Sequence, residues 1–164
     1  MKVLVTGATG FIVGSLARLL WRQGYQVRAL TRPGSNTLTI QDTGIEQVEG
    51  DILDRGSVVR AAQGCQGVFH CAAAYTFWSP HQDLIYRTNV EGTKNVLEAA
   101  EEAGVSKVVY TSTVSTIGLP QKTWTGELGG NLGVKLGNED TPAQAHHLAG
   151  NYKRSKYQAE QLAL

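Results

Sequence analysis

Apolar residues along the chain follow two rhythms. Short β-branched or apolar runs stop at glycines and turn residues: KVLVT at 2–6, QVRAL at 26–30, IEQVEGD at 45–51, GVFHCAA at 67–73 and KVVYTST at 107–113. Such runs read as buried strands of a parallel sheet. Between them the spacing becomes helical. Residues 11–23 carry Phe11, Leu16, Leu19 and Leu20 and end at Gly24; a short helix is predicted at about 55–63; the longest pattern, 83–104, ends at Gly104. This alternation predicts an α/β fold, a parallel sheet with helices on both faces. Residues 118–150 break the rhythm, with seven glycines and no clean period, and so predict a functional or mobile segment. NYKRSKYQAEQLAL at 151–164 predicts a last helix, with no strand after it.

Composition narrows the class. A chain of 164 residues suits one domain, 1–164, with a real core. Hydrophobic residues are 41% and charged residues 18%, a globular balance. The net charge of +1 gives no electrostatic case for nucleic acid or an anionic membrane. No apolar run is long enough for a membrane span, and Met1-Lys2 leads into a run too short for a secretory signal. Cys65 and Cys71 form no metal or CxxC pattern, which fits a reduced, cytoplasmic setting. His70, His81, His146 and His147 have no carboxylate or cysteine pattern around them, so no metal is expected. The pair at 146–147 reads as solvated loop.

VTGATGFIVGS at 5–15 carries the first chemistry. Gly7 and Gly10 stand three apart, after a strand and at the start of a helix. Glycines there let backbone amides approach a pyrophosphate, and the helix N-terminus favours its charge. This is most of a dinucleotide fingerprint, with Val13 where the third glycine belongs. At the end of the second strand the usual ribose-binding carboxylate is missing. Thr31-Arg32 stands there, with Ser35 and Asn36 nearby. A guanidinium would bind a 2′-phosphate that a carboxylate would repel, which favours NADP over NAD. Asp51, after the third strand, is either an acceptor for the adenine amino group or a plain turn aspartate.

Tyr152 and Lys156 are four apart and share a helix face. A free tyrosine is a poor base at neutral pH, and a nearby ammonium favours its phenolate. The tyrosine can then move a proton at a substrate oxygen while hydride moves at carbon. Tyr157 points to another face.

TGATGF (6–11), GDILD (50–54), VFHCAA (68–73), NVEGTKNVLEAA (89–100), VVYTSTVSTIG (108–118) and YKRSK (152–156) occur in one order along the chain. As a set they resemble the extended short-chain dehydrogenase/reductases, the NAD-dependent epimerase/dehydratase type. AAAYTFW, LIYRTNVEGT and the arginine after the second strand look most like the branch of dihydroflavonol-reductase-like enzymes and hopanoid-associated sugar epimerases. The resemblance implies a Rossmann-type doubly wound sheet, here of about five strands and the YxxxK helix. It implies Tyr152 as general acid/base, Lys156 as its tuning residue and holder of the nicotinamide ribose, and Thr113 as the hydroxyl on the reacting oxygen, with Ser112 as fallback. Asn89 would support the proton relay, although its bland reading is a helix N-cap. Along the cofactor the resemblance places Gly7, Thr9, Gly10, Phe11 and Ile12 at the turn. It places Arg32, Asp51 and Ile52 further on, and Ala72, Ala73, Ala74 and Thr111 along the cofactor as well.

The implied reaction is hydride transfer at a carbonyl or alcohol carbon of a small molecule, a sugar nucleotide or a ketone, by an epimerase or a reductase. Two other readings stay open: a non-catalytic NADP-binding module or redox sensor, and an inert scaffold. Family members are about twice as long, so these residues are expected to be an N-terminal part with weak turnover of its own. The fifth strand would then leave an open edge that invites a homo-oligomer or other association. Measured against the family, nothing is inserted between Gly10 and Gly24, and Leu16, Leu19 and Leu20 fall on core positions. Val13 is then expected to displace the first helix slightly and weaken cofactor affinity. Gly14, about 100° round the helix, is expected to face elsewhere and only to cost helix propensity.

Overall fold

A computed structural model describes residues 1–75, 82–118, 121–123, 133–135, 138–141, 143 and 148–164. Five strands, β1 (Lys2–Thr6), β2 (Gln26–Thr31), β3 (Glu46–Glu49), β4 (Gly67–His70) and β5 (Lys107–Tyr110), form one sheet in the order β3-β2-β1-β4-β5. Every pairing in it is parallel. The chain starts at the sheet's centre, winds outward to β3, then crosses back to β4. The direction of winding reverses between β1 and β4, and a crevice opens there at the carboxyl ends of the strands.

Strand alternation divides the core. Val3, Val5, Val27 and Ala29 face one side, where Ala17 and Leu20 of helix α1 (Phe11–Arg22) cover them with Ile40 and Ile45. Leu4, Leu30 and Val68 face the other side. There they pack against Val58, Ala61 and Ala62 of α2 (Arg55–Ala62) and against Val96, Ala99 and Ala100 in the helix that follows residue 91. The long helical pattern is one winding run: α3 (Gln82–Tyr86), a π-helical turn (Arg87–Glu91) and α4 (Gly92–Glu102). Gly24 and Gly104 follow α1 and α4 with φ of +87° and +69°, the left-handed stop that glycine permits. Helix α5 (Asn151–Ala163) closes the described structure and packs on the π turn.

Two expectations for α1 are corrected. Leu19 and Phe11 do not face the core; they are 52% and 87% exposed. The covering stripe is Val13, Leu16, Ala17 and Leu20, and Leu19 lies about 100° round the helix from Leu20. Gly14 is buried and closely packed. A Cβ there would stand 2.8 Å from Thr39 Cβ and 3.0 Å from the Ala8 carbonyl oxygen. Thr39 donates a hydrogen bond to that same oxygen at 3.2 Å, so the segment after β2 crosses tightly over the start of α1. The irregular stretch also contains a short antiparallel ladder, β6 (Gln121–Thr123) with β7 (Gly133–Lys135). His81, His146 and His147 lie outside the described residues. In the described sheet β5 pairs only with β4, and Val109 is 43% exposed. No described helix is long and apolar enough to cross a membrane.

Candidate active site

The turn after β1 needs glycine twice over. Gly7 has a φ of +85°, and a Cβ there would lie 3.0 Å from both the Cα and the amide nitrogen of Ala72. The backbones after β1 and β4 therefore approach as no larger residue permits. The Gly10 amide donates to the Gly7 carbonyl at 2.9 Å, which folds the turn into the first turn of α1.

This turn floors a cleft of about 540 Å³. Gly7, Thr9, Gly10 and Val13 line it at the turn, and Ala72, Ala73 and Ala74 form a wall. Arg32, Asp51 and Ile52 line its far end. Arg32 makes no ion pair among the described residues. One Asp51 carboxylate oxygen accepts from the Leu53 amide at 2.9 Å, so the aspartate is both a turn cap and part of the cleft. The side chains of Phe11 and Ile12 point outward and are not on its surface. Ser35 and Asn36 are not on it either; Asn36 closes its own turn by accepting from Leu38 N–H at 3.0 Å. A cleft of this volume, lined by a glycine turn and by a guanidinium, suits a phosphate-bearing cofactor.

Tyr152 and Thr113 meet in a second cavity of about 320 Å³, together with Tyr75, Ser115 and Gly150. The Tyr152 ring stands edge-on to Tyr75, centroids 4.8 Å apart. Thr113 accepts from the Ser115 amide at 3.3 Å, capping the 3₁₀ turn Val114–Thr116. Ser112 is turned away to Glu160 of α5, and Thr116 donates to the same carboxylate at 2.8 Å. The geometry thus separates the two candidate hydroxyls: Thr113 lines the tyrosine's cavity and Ser112 does not.

Lys156 is 3% exposed. Its ammonium donates to the Tyr110 hydroxyl at 2.7 Å and to the Thr111 carbonyl at 2.8 Å, and it stands 4.3 Å from the Tyr110 ring centroid. Burial pulls its pKa down to about 8, against the opposing influence of Cys71 and Glu160. The side chain that grips Lys156 is therefore Tyr110, a contact the sequence did not point to. Thr111 contributes its carbonyl; its hydroxyl donates to Cys71 Sγ at 3.1 Å.

Asn89 is not a helix cap. It sits in the π turn, a local widening that often marks functional positions. Its amide oxygen accepts from Ala74 N–H at 2.7 Å, and its nitrogen donates to the Ala74 carbonyl at 3.1 Å and to Ser155 Oγ at 2.9 Å. Ser155 in turn donates to the Tyr152 carbonyl at 2.8 Å. Asn89 thus ties the alanine wall to the helix that carries Tyr152 and Lys156.

His70 is wholly buried, 2.8 Å from Thr6 Oγ1 through Nδ1 and 2.9 Å from Thr93 Oγ1 through Nε2. Thr6 accepts from Cys71 N–H at 3.3 Å and Ala72 N–H at 3.2 Å, so its proton goes to Nδ1. Thr93 donates to the Asn89 carbonyl at 2.6 Å, so it accepts from Nε2–H. Both ends assign the neutral Nε2–H tautomer. Burial, helped by Lys156, depresses the His70 pKa to about 3.

Tyr110, His70, Ser155 and Glu160 were missed from sequence. A signal existed for two of them. Glu160 extends the four-residue spacing of Tyr152 and Lys156 along one face of α5, and strand alternation puts Tyr110 on the same face of β5 as Val108, which packs on α2 and α4. Among the described residues no group of three or more His, Cys, Asp or Glu side chains is placed to hold a metal.

Comparison with known proteins bears on the fold and the family. A putative dihydroflavonol 4-reductase of Synechocystis sp. is 42% identical over 160 residues, which is 98% of this chain and 43% of that protein. A 2-alkyl-3-oxoalkanoate reductase of Shewanella oneidensis is 34% identical over 160 residues, 98% of this chain and 38% of that protein. Among solved structures, that of gox2253 superposes with a TM-score of 0.82 at 38% identity, covering 99% of this chain and 46% of the other. A short-chain dehydrogenase/reductase superfamily protein of Agrobacterium tumefaciens with bound NAD gives 0.76 at 26% identity, over 99% and 44%. The chain spans less than half the length of these proteins. The family model described as NAD dependent epimerase/dehydratase matches residues 3–164, and the chain belongs to that family.

Proposed function

We propose that this chain forms the cofactor-binding and acid–base part of an NADP-dependent carbonyl reductase, with NAD the weaker ligand. One observation carries the reading: Tyr152 and Thr113 share a single cavity, while Lys156 is buried on the same helix one turn beyond the tyrosine. Relatives named as reductases of dihydroflavonol and of 2-alkyl-3-oxoalkanoate support a ketone substrate over a sugar nucleotide. A bound nicotinamide supplies the hydride chemistry. Thr113 holds the substrate oxygen, and the Tyr152 hydroxyl passes a proton to it. The Lys156 ammonium places positive charge beside that proton transfer, and Asn89 keeps the alanine wall and α5 in register. Arg32, which lines the cleft, would hold a 2′-phosphate, and the glycine turn at Gly7 and Gly10, which lines it too, would receive the pyrophosphate.

NADPH and NADH fluorescence titrations of this chain test it. NADPH is expected to bind more tightly, and Tyr152→Phe to leave that binding in place. Turnover of a ketone by the enzyme is expected to fall by about 10²–10⁴ in the same variant. Failure to bind either nucleotide would sink the assignment; equal turnover by Tyr152→Phe would remove the acid–base role.

A further inference from the structure

A buried lysine ammonium has three N–H groups and needs acceptors, because an isolated charge is strongly disfavoured away from water. Lys156 finds two, the Tyr110 hydroxyl and the Thr111 carbonyl. The carbonyl is fixed by the backbone just after β5. Tyr110 is a side-chain choice, and its ring also lies under the ammonium. We infer that Tyr110 is a positioning residue for Lys156, holding the ammonium at the end of β5 through an uncharged acceptor. The inference rests on the acid–base reading above and names a residue which that reading does not include.

The character of the acceptor matters. Burial pushes the Tyr110 hydroxyl up to about 12, so it stays a neutral phenol. A carboxylate at this place would cancel the lysine's field; a phenol holds the ammonium and leaves its charge to act on neighbours. Among the described residues the groups around the pair are few. His70 lies on β4 with its ring 5.6 Å from that of Tyr110, neutral as assigned above. Cys71 follows it, Thr93 of α4 adjoins the Tyr110 hydroxyl, and Tyr152 and Glu160 come from α5. The Glu160 carboxylate is taken up by Ser112 and Thr116.

Tyr110→Phe keeps the ring and removes the acceptor. The readout is the 13Cε shift of Lys156 in 13C-lysine-labelled protein, followed against pH and assigned with Lys156→Arg. In the parent the midpoint is expected near 8. In Tyr110→Phe it moves lower, because the ammonium loses an acceptor and the neutral amine does not. NADPH binding at neutral pH weakens about tenfold, the worth of one hydrogen bond to a charged group. Val108→Ala, a packing control on the same strand, lowers thermal stability and leaves the midpoint in place. An unchanged midpoint in folded Tyr110→Phe overturns the inference. Tyr110→Leu, which fills most of the space with no hydrogen-bonding group, decides the matter if the phenylalanine variant does not fold. If the parent binds no NADPH, the proposed function fails, while the lysine midpoint still tests Tyr110.

Discussion

At the glycine turn the wall of the cleft is backbone, and around Lys156 it is side chain. Gly7 brings two strand ends within 3.0 Å of a would-be Cβ and needs no partner to do so. Lys156, by contrast, stands where it does because Tyr110 and Thr111 accept its protons, and its helix is held because Asn89 grips Ser155. A backbone site tolerates no added atoms but asks little of its neighbours. A side-chain site tolerates changes of shape but fails when one polar partner is removed, because a buried group is left unsatisfied. His70 joins the two, with Thr6, the last residue of β1 before the glycine turn, on one nitrogen and Thr93, bonded to the π turn, on the other.

Removing that joint is expected to have the largest effect. His70→Ala leaves a cavity and takes from the buried Thr6 hydroxyl the acceptor of its proton, at a cost of about 3 kcal/mol in chemical denaturation. The pH dependence gives a sharper test. The folded pKa is about 3 against an ordinary 6.5, so below pH 6.5 the unfolded chain takes up a proton that the folded one refuses. The contribution is therefore complete above pH 6.5 and is lost as pH falls toward 3. His70→Gln, which accepts and donates without titrating, should flatten the stability profile in that window. Parallel profiles for parent and His70→Gln would show that the histidine is not held neutral and that the two regions are not joined through it.

The same contrast explains what was legible in the sequence. The sheet, its helices and the glycine turn follow from local patterns: β-branched runs, helical spacing and glycines at stops. The expectation that Ala72–Ala74 line the cofactor's cleft and the pairing of Thr113 with Tyr152 came from family motifs; the alanines line the first cleft, and Thr113 and Tyr152 share the second cavity. The grip of Tyr110 on Lys156 was invisible because it joins residues 46 positions apart, which no periodicity relates. The Asn89 bonds run to Ala74 and Ser155, and nothing local separates such an asparagine from a cap. On α1 the spacing rule failed for a simpler reason. The rule counted leucines, and the buried stripe is completed by Ala17 and Gly14, small residues that pattern reading passes over.

Gly14 supplies the second test, now on the backbone side. Gly14→Ala gains about 1 kcal/mol of helix propensity. It also places a Cβ 2.8 Å from Thr39 Cβ and 3.0 Å from a backbone oxygen that cannot easily move. Overpacking of this kind costs about 1–3 kcal/mol, so the net is expected to be destabilising by about 1 kcal/mol. The sign is the test. A variant more stable than the parent in denaturant titration would mean that Gly14 is merely a poor helix residue, and that close packing belongs to position 13 after all.

Val13 is the mildest case, because it lies on the border between the two modes of construction. Its side chain packs partly against the Val3 and Val5 cluster and partly lines the cleft beside Gly10. Val13→Ala gives up about 1 kcal/mol of burial and recovers about half of that in helix propensity, so stability should hardly move. Binding should move, since two methyl groups leave the wall against which a pyrophosphate would lie. A few-fold tighter NADPH titration is expected, with the effect confined to the dissociation constant and absent from the melting curve of the free protein. An unchanged dissociation constant would show that the cleft already accommodates the valine. The third glycine of the fingerprint would then be dispensable here, its packing role having passed one residue along to Gly14.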